Sequence, residues 1–198
     1  EIRRSGAQTL ADLLKTKAGF TIASVSSTPH DKTVDVRGFN NGGGNGQRLL
    51  VLVDGRKTNS VTGSTTDWAQ IPLENIEKIE ITRGPVSALH GDTALTGVIN
   101  IITSTGTESA RKSLLVEGGS FKTLRESAAA SGKIKELSYS VMIQGENSDG
   151  YRDNSAYEGR NVTLKLGYDL SKSALLSFKA GYHDDDRERA GALTKEEM

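Results

Sequence analysis

Residues 161–170 alternate strictly: Val162, Leu164, Leu166, Tyr168 and Leu170 fall on one face, and Asn161, Thr163, Lys165, Gly167 and Asp169 on the other. A period of two over that length predicts a β-strand with one apolar face. The pattern returns with Leu137, Tyr139, Val141 and Ile143 against Ser138, Ser140 and Gln144, and with Leu176, Phe178, Ala180 and Tyr182 against Ser177, Lys179 and Gly181. Residues 113–119 and 124–133 predict two weaker strands, so five are expected after a polar linker at 105–112. Their connections alternate in length: 135–136 and 171–173 read as tight turns, whereas 149–159 and the tail after His183 are long and polar. Short turns at one end and long loops at the other point to a membrane barrel over a soluble sandwich. Tyr139 and Tyr168, near the tight-turn ends on the apolar face, stand where an interfacial aromatic girdle would.

The first half of the chain has a different texture. Leu10, Leu13 and Leu14 share one face of a predicted helix over 9–15, with Thr9 as cap, Asp12 three residues on and Gly19 as stop. Residues 20–22 start an extended stretch, 24–32 read as polar loop, and 33–39 as a strand in which Val34 and Val36 point one way. The buried strand at 49–53, LLVLV, ends in the turn pair Asp54-Gly55. Residues 76–82 and 98–103 predict two more strands, the second nearly all apolar and therefore central or covered on both faces. Between them Pro85 fits the first turn of a short helix over 86–90, and Gly91 is available to end it in a left-handed conformation. The run NNGGGNG at 40–46 offers the backbone amides of a phosphate loop, but no Gly-Lys-Ser/Thr follows and no helix opens after it. A mobile polar apex ahead of a buried strand is the simpler reading.

The ordered run Ile71-Pro72, Ile76-Glu77-Lys78-Ile79-Glu80-Ile81, Arg83-Gly84-Pro85, Ser87-Ala88-Leu89, Gly91 and Gly97-Val98-Ile99-Asn100-Ile101-Ile102-Thr103 resembles the signature of the plug domain of TonB-dependent outer-membrane receptors. Val36-Arg37-Gly38-Phe39 and Leu52-Val53-Asp54-Gly55 are similar to further motifs of that family. His90 and Thr96-Gly97 depart from it, standing where the family usually has Tyr and a pair of glycines. The resemblance implies an α+β plug domain over 1–106, N-terminally trimmed, followed over 107–198 by the antiparallel strands of an incomplete transmembrane β-barrel. Five strands cannot close around such a domain; plugged barrels use roughly 22.

The same resemblance implies a receptor in the outer membrane of a Gram-negative bacterium that takes up a scarce nutrient such as a ferric siderophore, haem or cobalamin. Its partners would be TonB, through a segment upstream of Glu1, the small-molecule cargo, and outer-membrane lipid. Cargo is expected at outward segments carrying Asn40, Asn41, Asn45, Ser64 and Thr65, with Trp68 alongside. Arg37 and Arg83 match the two plug arginines that, in the family, pair with barrel carboxylates; they are expected to lie close together as a latch. A non-transporting outer-membrane binding or adhesive barrel is the alternative.

Composition narrows the remaining classes. With 25 basic and 25 acidic residues the formal net charge is zero, which gives no footprint for nucleic acid. Cysteine is absent, so disulfides and thiolate metal sites are excluded. No charged-then-apolar leader opens the chain at Glu1, and no apolar run of about 18 residues spans a bilayer as a helix. The signal of an exported protein would have been removed or lie outside this sequence. An enzyme is not indicated: no nucleophile stands with a base, and His30, His90 and His183 occupy three separate contexts. No cofactor is expected. Asp149 and Asp153, with Asp184, Asp185 and Asp186, are candidate oxygen ligands for calcium on neighbouring outer loops, or else solvated loop tips.

Overall fold

The computed structural model describes residues 5–7, 9–18, 20–24, 28, 30–36, 48–58, 66–91 and 94–190. Helix α1 (Leu10–Ala18) opens the first body. Its start is capped reciprocally: Thr9 Oγ1 accepts from the Asp12 amide at 3.2 Å while the Asp12 carboxylate accepts from the Thr9 amide at 3.1 Å. Two short antiparallel strands follow, β1 (Thr21–Ser24) and β2 (Lys32–Asp35). A mixed four-stranded sheet then forms from β3 (Leu49–Val53), β4 (Arg56–Lys57), β5 (Ile76–Arg83) and β6 (Gly97–Thr103), in the order β4-β3-β6-β5. The apolar β6 is central, parallel to β3 and antiparallel to β5. Its odd residues Ile99 and Ile101 join Leu49, Val51 and the buried face of α1 in one core, while Val98 packs with Leu50 and Ala94 on the other side. The face carrying Ile99 and Ile101 is buried, whereas the Val98 face is covered only at that end and leaves Lys78, Glu80 and Thr82 of β5 exposed, so the apolar run of β6 is central but not covered throughout on both faces.

The short helix α2 (Ser87–His90) is a single turn. Pro85 lies one residue before its N-cap, Val86, and not in its first turn. Gly91 ends the turn at φ 84°, ψ −170°, a positive-φ position but not the left-handed helical one. Gly97 matters more for packing: at φ 154°, a Cβ would stand 2.4 Å from the Thr82 carbonyl oxygen on β5.

The second half is one antiparallel meander: β7 (Arg111–Gly118), β8 (Leu124–Ile134), β9 (Leu137–Ser148), β10 (Tyr157–Ser171) and β11 (Ala174–Arg187), hydrogen-bonded in sequence order. The two-residue turn Lys135-Glu136 and the turn Lys172-Ser173 join it at one end; five residues (119–123) and eight (149–156) join it at the other. The strands are longer than alternation alone predicts. β10 begins at Tyr157 inside the expected loop, and β11 runs on past His183 to Arg187.

The two faces differ sharply. Outward positions on β10 and β11 carry Val162, Tyr168 and Leu170, and Leu176, Phe178 and Tyr182, each at least 37% exposed. This apolar band has a register-matched edge: Val162 pairs with both Tyr182 and Ile143, and the next outward residues are Arg160, Asp184 and Gly145. Inward positions are polar and covered, including Arg125, Ser127, Gln144, Glu146 and Asn161. What covers them is the first body.

Candidate functional site

The seam between the two bodies holds the chemistry. Inward residues of β11 form a charged ladder, Lys179, His183, Asp185 and Arg187, and the first body meets it with three aspartates, Asp54, Asp67 and Asp31.

Asp54 sits in the hairpin turn between β3 and β4 at φ 50°, next to Gly55 at φ 77°. That turn conformation aims its carboxylate back along β6, where it accepts from the Thr103 amide at 2.9 Å and the Thr103 hydroxyl at 2.8 Å. Lys165 of β10 reaches it at 2.9 Å, and Lys179 of β11 reaches the other oxygen. Lys165 also donates to the Thr103 carbonyl at 2.9 Å. Burial alone would push the Asp54 carboxyl up, but the Lys179, Thr103 and Lys165 hydrogen bonds outweigh it and hold the pKa down at about 2.

Asp67 caps a 3-10 turn over Trp68–Gln70, accepting from the Ala69 amide at 3.2 Å. The Arg187 guanidinium donates to Asp67 at 2.6 Å, to Asp31 at 2.8 Å, and to Asp185 on its own strand. Arg189 adds a second bond to Asp31 at 3.1 Å. Against the cost of burial, the His183 and Arg187 hydrogen bonds lower the Asp67 pKa far below the usual carboxylate range. Asp67, His183 and Asp185 place three ligand-type atoms within 4.8 Å of one another. Arg187 already bridges the two carboxylates, so a guanidinium takes the place a metal ion would need.

Farther along the seam, Arg125 of β8 and Glu146 of β9 form a bidentate pair at 3.1 Å on both arms. His30 of the first body approaches Glu146 at 3.3 Å and packs on the Tyr157 ring at 4.6 Å between centroids. Arg187 lies over the same ring at 5.9 Å. The histidines His30 and His183, far apart in the chain, therefore border one continuous polar seam.

The residues proposed for cargo and latch fall differently. Arg37, Asn40, Asn41, Asn45, Ser64 and Thr65 lie outside the described residues. Trp68 is 1% exposed, its indole N–H donating to the Lys32 carbonyl at 2.8 Å, a core position. Thr66, at the end of the expected outer segment, is buried too. Arg83 is turned toward its own body: it donates to the Ala18 carbonyl and lies 5.7 Å above the Phe20 ring. Asp149 and Asp153 line an open cavity of about 400 Å³ in the 149–156 loop, where Asp149 pairs with Lys122 at 2.7 Å.

Residues 1–98 match the TonB-dependent receptor plug domain. That stretch belongs to the TonB-dependent receptor plug family. The wider chain is 30% identical over 192 residues to the vitamin B12 transporter BtuB of Vibrio vulnificus, covering 93% of this chain. It is 32% identical over 199 residues to an iron-regulated outer membrane virulence protein of Vibrio cholerae, covering 90%. In three dimensions it matches the siderophore receptor PirA from Pseudomonas aeruginosa with a TM-score of 0.71 and 27% identity over 93% of this chain, so the likeness takes in β7–β11 as well as the plug. The chain spans 29% of the length of each of those two relatives and 32% of that structure.

Among the described residues, Asp31, Asp54 and Asp67 of the plug pair with cations of the meander, the opposite polarity to plug arginines on barrel carboxylates, whereas the His30–Glu146 contact sets a plug histidine against a meander carboxylate. No local motif marks Asp31, Asp67, Lys165, Lys179 or Arg187 as seam residues. The available signal was positional: each of the three cations is an inward residue of an alternating strand.

Proposed function

We propose that this chain is the plug and the first wall strands of a TonB-dependent outer-membrane receptor that takes up a scarce nutrient, such as a ferric siderophore, haem or cobalamin. The observation that carries the reading is the two-faced meander: its polar side is docked on a plug-family domain, and its apolar side presents a band with a register-matched edge. A five-stranded open sheet of that character belongs in the wall of a larger barrel, with the band against lipid. The plug then extends to about residue 106 and the wall begins near 107. TonB engages a plug segment upstream of the described residues. Cargo binds the outward segments at 40–46 and 61–66, through Asn40, Asn41, Asn45, Ser64 and Thr65, with Trp68 supporting them from the core.

The test is uptake by the full-length protein, in cells with and without TonB, against a panel of ferric siderophores, haem and cobalamin. TonB-dependent accumulation of one cargo supports the reading. Binding without TonB-dependent accumulation overturns it in favour of a non-transporting receptor. The lipid-facing assignment makes its own prediction. Phe178, 57% exposed near the middle of the band, should tolerate Leu but not Arg. Phe178→Arg is expected to destabilise the inserted protein by about 2–4 kcal/mol, measured by denaturant titration in bilayers. An unchanged midpoint would remove the band from lipid.

A further inference from the structure

Between the Asp54 and Asp67 contacts the wall leaves a gap against the plug. Along β10 and β11 the Lys165–Lys179 pair holds Asp54 and the Asn161–His183 pair faces Asp67; the inward pair between them is Thr163 with Gly181. Gly181 has no side chain and Thr163 a short one. A Cβ at Gly181 would meet no atom nearer than the Val162 carbonyl oxygen, at 3.8 Å. The result is a cavity of about 240 Å³, bounded on the wall by Thr163, Lys179 and Gly181 and on the plug by Arg56, Asn75 and Thr103 among others. At roughly 30 Å³ per water it has room for about eight waters, or for a small solute with part of its hydration shell.

The lining is rich in donors, and among the described residues it holds no carboxylate. Arg56, on the two-residue strand β4, meets no acidic partner among them. Asn75 is 7% exposed and its main chain is satisfied, the amide donating to the Pro72 carbonyl at 3.2 Å and the carbonyl accepting from the Ser104 amide at 2.8 Å. Its side-chain amide makes no hydrogen bond among the described residues, so a nine-tenths buried polar group is turned to the cavity unpartnered. Lys179 has three N–H donors and gives one to Asp54. Asp54 is shared with Lys165, so with Arg56 this corner carries three cations against one carboxylate.

We propose that the cavity is a site for a small oxyanion, a phosphate or a carboxylate group, held jointly by Arg56 and Asn75 of the plug and Lys179 and Thr163 of the wall. The inference goes beyond the transport reading and does not depend on it; it rests on the cavity and its donors.

The lining selects the sign of the ligand. A cation would meet the Arg56 and Lys179 charges with no carboxylate in the lining to offset them. A neutral apolar solute would leave the guanidinium and the Asn75 amide without acceptors. An oxyanion can accept from all four groups, and the guanidinium and ammonium give it charge-assisted bonds in a recess partly closed to water. Because the donors come from both bodies, the complete site exists only while the plug is docked on β10 and β11. By mass action, binding there favours the docked state.

Phenylglyoxal labelling of arginines in the full-length protein in bilayers, read residue by residue by mass spectrometry, reports on the site directly. Inorganic phosphate and succinate are the probes, with chloride at the same ionic strength as the reference. Phosphate, succinate or both should slow the labelling of Arg56 in a saturable way and leave Arg111, exposed on the far edge strand of the meander, unchanged. Protection by only one of the two names the group the site takes. Gly181→Val fills the cavity from the wall without altering any charge and should abolish the protection. Asn75→Leu removes a donor and should raise the concentration for half-protection by about tenfold or more, the worth of a hydrogen bond to a charged group. Equal labelling of Arg56 in phosphate, succinate and chloride overturns the proposal and leaves the cavity to water. Full protection persisting in Gly181→Val also overturns it, since a diffuse counter-ion cloud needs no cavity. Should either variant fail to insert, the wild-type contrast between Arg56 and Arg111 decides alone. The readout involves no uptake, so the anion site and the transport reading fail separately.

Discussion

Replacing Trp68 with alanine is expected to destabilise the plug by about 3–5 kcal/mol, read from the denaturant midpoint of its unfolding. Trp68 is the largest fully buried side chain of the protein as described, and it belongs to the same core cluster as Leu10, Val34, Ile71 and Ile99. Its indole N–H also ties the 3-10 turn to β2 through the Lys32 carbonyl. Truncation therefore removes packing and strands an acceptor at once. Trp68→Phe keeps most of the ring volume and should cost less, about 1–3 kcal/mol, chiefly the lost hydrogen bond. A Trp68→Ala protein of unchanged stability but weakened cargo binding would return this residue to the cargo surface, where its polar neighbours in sequence had suggested placing it.

Trp68 shows why some of the fold was legible in the sequence and some was not. The strands of the meander repeat every two residues, and β6 is nearly all apolar, so element type and the central place of β6 follow from local pattern. A lone Trp beside a Ser/Thr-rich stretch carries no period, and only the tertiary packing decides which way it points. Strand ends are hidden from the sequence pattern for a related reason. Apolar alternation stops at Tyr182, but β11 continues to Arg187 because its inward side chains are held by the plug, not by lipid. The seam itself joins residues 120, 125 and 156 positions apart: Asp67 with Arg187, Asp54 with Lys179, and Asp31 with Arg187. No local rule pairs such residues. Sequence identified Asp54 as a turn residue and Lys179 as an inward one, and each of those statements is true of the fold without implying the other.

The same pair gives the second large effect. Asp54→Asn is expected to cost about 3 kcal/mol or more, because it leaves two largely covered ammonium groups, on Lys165 and Lys179, without a counter-charge. Asparagine is the informative replacement: it tolerates the positive φ of this turn, so backbone strain stays out of the result, whereas alanine would add it. The pH dependence isolates the charge. Because the folded-state pKa of Asp54 is depressed to about 2, its contribution is present above the unfolded carboxylate pKa of about 4 and is lost as pH falls through the folded value. The stability difference between wild type and Asp54→Asn should therefore be constant near neutrality and shrink between about pH 4 and pH 2. Asp12 and Asp67, whose pKa values are also lowered, titrate in both proteins and cancel in the difference. Lys179→Met should recover part of the loss in the Asp54→Asn background, since it removes one of the two stranded cations and the repulsion between them. If the double variant is no more stable than Asp54→Asn alone, the cost lies in the Thr103 hydrogen bonds of the turn and not in the tie to the wall.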